Sequence, residues 1–590
     1  MNKLNTPISL RDHARYRIST EMMEVIKKNS TTPDQYLTLV TDSTSLSIFS
    51  SLFTTKDLPT IGISRVEKLV LKRKKLPNSE GIYLILPTDE SVNLLISDFS
   101  DKKRPTFAKV HICILNYTPK DIMTKLSMSS ISSRVVTFLE INLDFQLFDE
   151  NVFYFSAKND MKLLDPLKRD AENELNIIVD KLFTTCCALY EFPFIRYFNK
   201  SSLCKYIATN LNSKLAMFQS ISSYQVHEPR GQLIIVDRTI DMCSCAMHDF
   251  NFMSIIYDMN VKKDIFSIQI EGGDIITLDE YNEIWEREKY SHYREALKGI
   301  DSDFQKFSNK NKAINEKKGD ESQMNSIIRS MPEYQNLSKK LPKIMKLANN
   351  SVKAFNNRYI MDMTRMEQAI ITGKNEKKDL LSNRTIAKSF ENLKKDFPLI
   401  TDEEIIRLLI LYLSQYDILK KDINPLLNLV ASEEWKKCLL NCISHGLIKT
   451  EDCPKAKRKN DTLIKDEDLE FYEKRVLKYG HQLILKTIPT VTKIIMKAAE
   501  QKYQDNLTII GNEHFKLEST SRRGSVSSTS EFNTPRIMLF MLGGLSTTEI
   551  ATTFNLKKEG YISGHVIMGS NCVVTPLDLL QSIIEGKCVQ

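Results

Sequence analysis

Ile537-Met538-Leu539-Phe540-Met541-Leu542-Gly543-Gly544-Leu545-Ser546-Thr547-Thr548-Glu549 decides how this chain is organised. Its six consecutive apolar residues suit a short strand covered on both faces. Gly543-Gly544 ends the run, and Ser546 with Glu549 three residues on has the spacing of a capping box, so a helix opens there. Such a strand needs a sheet to join. The nearest run of the same kind upstream is Leu233-Ile234-Ile235-Val236, ending at Asp237. The last hundred residues therefore complete a sheet begun near residues 150–237, with an insertion between the two segments.

Further upstream the same rhythm fills the first 145 residues. Strand-like runs are Tyr36-Leu37-Thr38-Leu39-Val40, Gly81 to Leu86, Val110 to Leu115 and Val135 to Leu139, with helical stretches such as Asp89 to Phe99 and Lys120 to Met128 between them. Apolar strands alternating with helices predict a parallel sheet covered on both faces. The insertion is helix-rich. It holds the charged stretch Leu278 to Ile300, read as helical, and the run Ile405 to Leu413 behind a second capping box, Thr401-Asp402-Glu403-Glu404. Segments 308–322 and 519–530 read as flexible, the second because eight of its twelve residues are Ser or Thr. The expected division is 1–145 for a first α/β domain, 146–247 plus 481–590 for a second, and 248–480 for a helical third, with a Ser/Thr-rich loop at about 517–534.

Composition narrows the function classes. In 590 residues, 82 Lys and Arg face 74 Asp and Glu, a net +8 that is too diffuse for a nucleic-acid binder. The 42% hydrophobic share is that of a globular chain, which excludes collagen-like and wholly disordered proteins. The eleven cysteines lack zinc or CxxC spacing and read as reduced, buried thiols. The most apolar long stretch, Ile405 to Leu413, is interrupted by Arg407 and is too short for a bilayer; Met1 to Asn5 starts no signal peptide. A cytoplasmic monomer that meets membranes only through partners is expected.

A search for catalytic chemistry finds no GxGxxG, GxxxxGK[ST], GxSxG or HExxH. Gly543-Gly544 could hold an anion at a helix start but lacks the lysine of a phosphate cradle, and a tight turn explains it as well. His248 and Asp249 are adjacent, which is poor geometry for a relay. Asp42 and Asp237 end strands, where α/β active sites often lie, and serve equally as caps. No catalytic, cofactor or metal site is assigned.

Four stretches, in this order and spacing, resemble the SM family (Sec/Munc-type, syntaxin-binding proteins of vesicle fusion). They are Gly81-Ile82-Tyr83-Leu84-Ile85-Leu86-Pro87-Thr88 leading into Leu94-Leu95-Ile96-Ser97-Asp98-Phe99; Leu139-Glu140-Ile141-Asn142-Leu143-Asp144-Phe145 with Glu191-Phe192-Pro193-Phe194 downstream; Leu233 to Arg238 with Tyr257-Asp258; and Phe540 to Ser546 with Glu549. The Glu140-to-Phe145 run and Met331-Pro332-Glu333-Tyr334-Gln335 are similar to the exocytic, plasma-membrane branch. The resemblance implies an arch of three domains, two parallel-sheet α/β units and a mostly helical insertion, around a central cleft. It implies no enzymatic activity and no cofactor. It also implies a peripheral place at the plasma membrane through syntaxin. The expected partners are a syntaxin-type SNARE, the assembled SNARE complex, and a vesicle SNARE met through the third domain. A Golgi or endosomal branch is the alternative, and an α/β hydrolase or nucleotide-binding enzyme the alternative of another class.

The same resemblance implies sites. The syntaxin cleft maps to Asp42, Ser47 and Glu67, with Lys72-Arg73-Lys74-Lys75 either in that surface or a solvated helix end. A pocket for the syntaxin N-terminal peptide maps to Met123, Val135, Phe138 and Glu140, where Val135 and Phe138 also read as strand core. In a hinge hairpin at about 323–358, Pro332 matches a bending proline, and Ile344 falls near the vesicle-SNARE contact or in the core. Arg522-Arg523-Gly524-Ser525 is a kinase-type pattern that would place phosphate on Ser525. Residues 1–145 carry 20 basic and 15 acidic side chains, so over half the net charge sits in the proposed syntaxin-facing quarter.

Overall fold

The computed structural model describes the chain apart from residues 1–8, 32–35, 72, 102, 157–170, 222–229, 271–272, 279–281, 317–331, 358, 376–378, 450, 452–456, 460–486, 503–505, 511–535 and 586–590.

Two short helices open it, α1 (Leu10–Tyr16) under a capping box from Ser9 and Asp12, and α2 (Met23–Asn29), joined by a π-helical turn, Arg17–Met22. Arg17 from that turn is buried. It donates to the carbonyls of Ile141 at 2.9 Å and Cys187 at 3.1 Å and lies over the Tyr190 ring, so one side chain ties the N-terminal helices to both α/β units.

The first sheet has five parallel strands in the order β2-β1-β3-β4-β5: β1 (Leu37–Thr41), β2 (Ile63–Lys68), β3 (Leu76–Ile85), β4 (Phe107–Ile114) and β5 (Val135–Glu140). Helices α3 (Ser43–Leu52), α4 (Asp89–Ser97) and α5 (Lys120–Met128) make the crossovers, and all five residues of β1 are buried. A strand buried on both faces is why these runs are apolar without alternation.

The second sheet draws on distant segments. From the first come β6 (Gln146–Asp149), β7 (Val152–Tyr154), β8 (Phe194–Phe198) and β9 (Gln232–Asp237), with α6 (Ala171–Ala188) and α7 (Ser202–Ile221). From the second come β10 (Leu507–Ile510), β11 (Ile537–Leu542) and β12 (Val566–Ser570). Their order is β10-β8-β9-β11-β12-β7-β6, parallel except for β10 and β6 at the edges. The quoted run is β11, fully buried, with β9 on one side and β12 on the other.

Helices dominate the region between. They include α8 (Phe252–Met259), α9 (Glu283–Glu288), α10 (Tyr293–Glu316), α11 (Pro332–Asn357), α12 (Ile360–Thr372), α13 (Asp402–Gln415) and α14 (Glu433–Ser444). The stretch read as helical over 278–300 holds two helices separated at residues 289–292, and the Tyr293 amide that opens the second donates to the Phe250 carbonyl. The polar stretch expected to be flexible from 308 is helical to Glu316, because α10 is a charged helix lying on the surface of α11. Arg407 in α13 is buried yet fully engaged: both guanidinium nitrogens reach Asp258 of α8, at 3.0 and 2.9 Å, and Nε donates to the Ala246 carbonyl.

The chain then returns through α15 (Thr490–Ala499), α16 (Thr547–Lys558) and α17 (Pro576–Glu585). Both predicted capping boxes form, Ser546 with Glu549 at α16 and Thr401 with Glu404 at α13.

Candidate partner-binding surfaces

Parallel strands deliver their C-terminal ends to one rim, and there the structure places Asp42 and Glu67, after β1 and late in β2. Asp42 caps α3. One carboxylate oxygen accepts from the Ser45 amide at 2.8 Å, the other from the Leu86 amide at 2.7 Å and the Ser91 hydroxyl at 3.0 Å. With three donors it holds β1, β3 and α4 in register, a cap first and a surface group second. Ser47, one turn into α3, is exposed and donates to Gln146 Oε1 at 3.3 Å, linking the first α/β unit to the edge strand of the second sheet. Glu67 is gripped by Arg65 at 3.0 Å and Arg73 at 3.1 Å.

Arg73 departs from a solvated reading of the basic run. It turns inward, pairs with Glu67 and Asp98, bonds the Tyr83 hydroxyl at 2.7 Å and lies over the Tyr83 and Phe107 rings. Burial opposes its charge, but Tyr83 and the two carboxylates outweigh this and hold the guanidinium above its usual pKa.

The peptide-pocket candidates converge at the other edge of this sheet. Strict alternation would put Val135 and Phe138 on opposite faces. A register shift between Val110 and His111 makes Val135 face Val110 and Phe138 face Ile112, so both lie on one face with Glu140, which pairs with Ile114. Helix α5 covers that face through Ile122 and Leu126, and Met123 stands beside them, 41% exposed. Val135 and Phe138 are half-buried against the apolar cluster, and Glu140 is exposed while accepting the Thr118 amide at 2.8 Å. The arrangement is an open apolar shelf ending in a carboxylate, which can take an apolar side chain and a cationic group in sequence. Thr137, facing the opposite way, is fixed by His111 at 3.0 Å and Asn29 at 3.3 Å, so the strand is anchored from behind.

Features that might have signalled chemistry have internal partners. The amides of Gly543 and Gly544, both at positive φ, donate to Asn571 Oδ1 at 2.7 and 3.1 Å, so the anion cradle is filled by a side chain. His248 bonds Glu367 at 2.7 Å rather than Asp249. Asp237 caps the turn after β9 through the Thr239 amide at 3.0 Å. The nine described cysteines are free and buried, and burial raises the pKa of Cys243 to about 12.

The Sec1 family model matches residues 37–582. The chain belongs to the Sec1 family. A relative from Dictyostelium discoideum, "Protein transport protein sec1", is 23% identical over 602 residues, covering 98% of this chain and 99% of the relative. The fold matches the crystal structure of the Unc18–syntaxin 1 complex from Monosiga brevicollis, with a TM-score of 0.80 at 20% identity, 98% of this chain and 99% of the other. It also matches Sly1p, solved with an N-terminal peptide of Sed5p, with a TM-score of 0.74 at 17% identity over 98% and 99% of the two chains. No helix among the described residues is long and apolar enough to cross a membrane.

In the helical region of this Sec1-family chain, the structure gives Ile344 the core position of its two readings. Pro332 is the first residue of the described helix α11, and the proline inside that helix is Pro342, whose missing N–H leaves the Ser338 carbonyl without its helical donor. Ile344 is fully buried with Leu341, Leu347 and Ala348, so it packs the core. The outer face of α11 carries exposed Lys339, Lys343, Lys346 and Lys353 instead. Their spacing along one side of a helix is the signal in the sequence that marks this face. Ser525 and residues 323–331 of the hinge hairpin lie outside the described residues.

Proposed function

We propose that this Sec1-family chain is a non-catalytic regulator of vesicle docking and fusion. On this reading it binds a syntaxin-type SNARE, guides assembly of the SNARE complex on the exocytic route, and stays at the cytoplasmic face of the plasma membrane through that partner. The observation that carries the reading is the shelf of Met123 on α5 with Val135, Phe138 and Glu140, which the register shift in β5 puts on one face. It is supported by the fold shared with a protein solved in complex with syntaxin 1. The rim of Asp42, Ser47 and Glu67 is the proposed cleft contact, and the lysine face of α11 the proposed site for the vesicle SNARE.

The second reading, a Golgi or endosomal branch, is favoured by the likeness to Sly1p bound to a Sed5p peptide. Binding of the chain to a panel of syntaxin cytoplasmic domains and N-terminal peptides decides between them. Preference for a plasma-membrane syntaxin, weakened by Phe138→Arg, is the expected result. Preference for a Golgi or endosomal syntaxin moves the chain to the other branch, and absence of binding to all of them removes both.

A further inference from the structure

One buried carboxylate fastens the end of α2 to the first sheet. Glu80 of β3 is 3% exposed. It accepts from the Ser30 hydroxyl at 2.6 Å, from the Thr31 amide at 3.0 Å and from the Thr31 hydroxyl. His111 of β4 bonds it through Nε2 at 3.1 Å. Burial favours the protonated form of this carboxyl, but the hydrogen bonds from Ser30, Thr31 and His111 outweigh burial and hold its pKa down at about 2. The latch is therefore closed on an anion.

The fastening continues into β5. His111 Nδ1 lies 3.0 Å from the Thr137 hydroxyl, and Asn29, the last residue of α2, donates to the same hydroxyl at 3.3 Å. A continuous path of hydrogen bonds thus runs from Ser30 to the strand that carries Val135, Phe138 and Glu140.

The sequence before Ser30 is that of a kinase substrate. Lys27-Lys28-Asn29-Ser30 sets two basic residues ahead of a serine with the same spacing as Arg522-Arg523-Gly524-Ser525. Lys27, Lys28, Asn29 and Thr31 are exposed, and Ser30 is half-buried between them. Ser30 is the C-cap of α2 and already has extended backbone, so a kinase reaches it by lifting the frayed end of one helix.

We propose that Ser30 is a phosphorylation site whose modification unlatches α2 and loosens β5. The γ-phosphoryl group of ATP passes to Ser30 Oγ, the hydroxyl proton goes to the base of the kinase, and ADP leaves. The product carries a charge of about −1.5 to −2 where a hydroxyl had donated to Glu80. Two effects then oppose the closed latch. The phosphate and the Glu80 carboxylate repel each other at close range, and negative charge is unfavourable at the C-terminal end of a helix. Neither effect depends on what the shelf on β5 binds.

The test treats the full chain, carrying Ser525→Ala to remove the second dibasic site, with the catalytic subunit of cAMP-dependent protein kinase and magnesium ATP. Phosphate is located by peptide mass spectrometry, and amide hydrogen exchange is read over α2 and β5. The expected result is phosphate on Ser30, with exchange in both elements faster by about tenfold. Ser30→Asp without kinase should move exchange in the same direction. Ser30→Ala, which loses the hydrogen bond and adds no charge, should move it less. Glu80→Gln should shrink the difference between phosphorylated and unmodified chains; if that variant melts well below the native chain, Ser30→Asp against Ser30→Ala is read in its place. Absence of phosphate on Ser30 of the folded chain overturns the inference, and so does a phosphorylated chain whose α2 and β5 exchange as before. Equal exchange in Ser30→Asp and Ser30→Ala also overturns it, since the hydroxyl would then be a structural bond and not a switch.

Discussion

Arg238 and Glu549 are 311 positions apart and meet in a two-pronged ion pair, Nη1 to Oε1 at 2.8 Å and Nη2 to Oε2 at 2.9 Å, with neither residue exposed. Arg238 follows β9 and Glu549 lies in the first turn of α16, so the pair closes the second α/β unit across its two chain segments. Arg238 also donates to the carbonyls of Gly544 and Asp241, and Glu549 accepts the Ser546 amide at 2.8 Å. Removing one partner strands a buried charge. Glu549→Ala should therefore cost about 3–5 kcal/mol, read as a lower urea midpoint, and Arg238→Met combined with Glu549→Leu should recover much of the loss.

Gly569 on β12 faces the ring of Phe153 on β7, and any Cβ added there would fall within the ring's contact distance. Neither strand can retreat, because Gly569 and Phe153 are paired neighbours in the ladder. Gly569→Val should destabilise by about 1–3 kcal/mol, and Phe153→Leu in the same chain should return part of it, both measured by urea denaturation.

Acid should weaken the same unit. Arg536 Nε approaches His565 Nδ1 at 3.3 Å, and burial together with the positive charges of Arg536 and Lys557 pushes His565 from 6.5 down to about 4. Between those values the unfolded chain binds a proton that the folded chain does not, so stability rises with pH across that window and falls on acidification. The full loss, reached below the folded value, is about 3 kcal/mol. Urea midpoints at pH 7 and pH 5 should differ in that sense, and His565→Gln should reduce the difference.

Local signals were readable because they are written in neighbouring residues. Six apolar residues before Gly543-Gly544 marked β11 to the residue, Lys120 to Met128 is α5 as expected, and both capping boxes form. What could not be read depends on contacts between distant residues. Alternation along β5 cannot reveal the extra residue that turns Val135 and Phe138 to one face, because the shift exists only in hydrogen bonds to β4. Arg73 looks like its lysine neighbours until Asp98 and Tyr83 are placed beneath it. Ile344 marks the apolar side of α11, but only packing shows that this side is covered. Pattern gives the face of an element, and the tertiary neighbour decides whether that face is surface or core.

That distinction is why the vesicle-SNARE contact is proposed on the side of α11 opposite Ile344. Lys339, Lys343, Lys346 and Lys353 form no ion pair among the described residues, and an acidic helix laid along them would be guided by charge more than held by apolar burial. Lys343→Glu with Lys346→Glu should leave the melting temperature unchanged, since both side chains are exposed. The variant should slow association with an acidic vesicle-SNARE helix by about tenfold at low salt, and the gap should close as ionic strength rises. Stopped-flow association rates across a salt series give the answer. Equal rates for both proteins at every salt concentration would remove this face from the binding surface, whereas a slower variant whose deficit persists at high salt would mean that packing, and not charge, carries the contact.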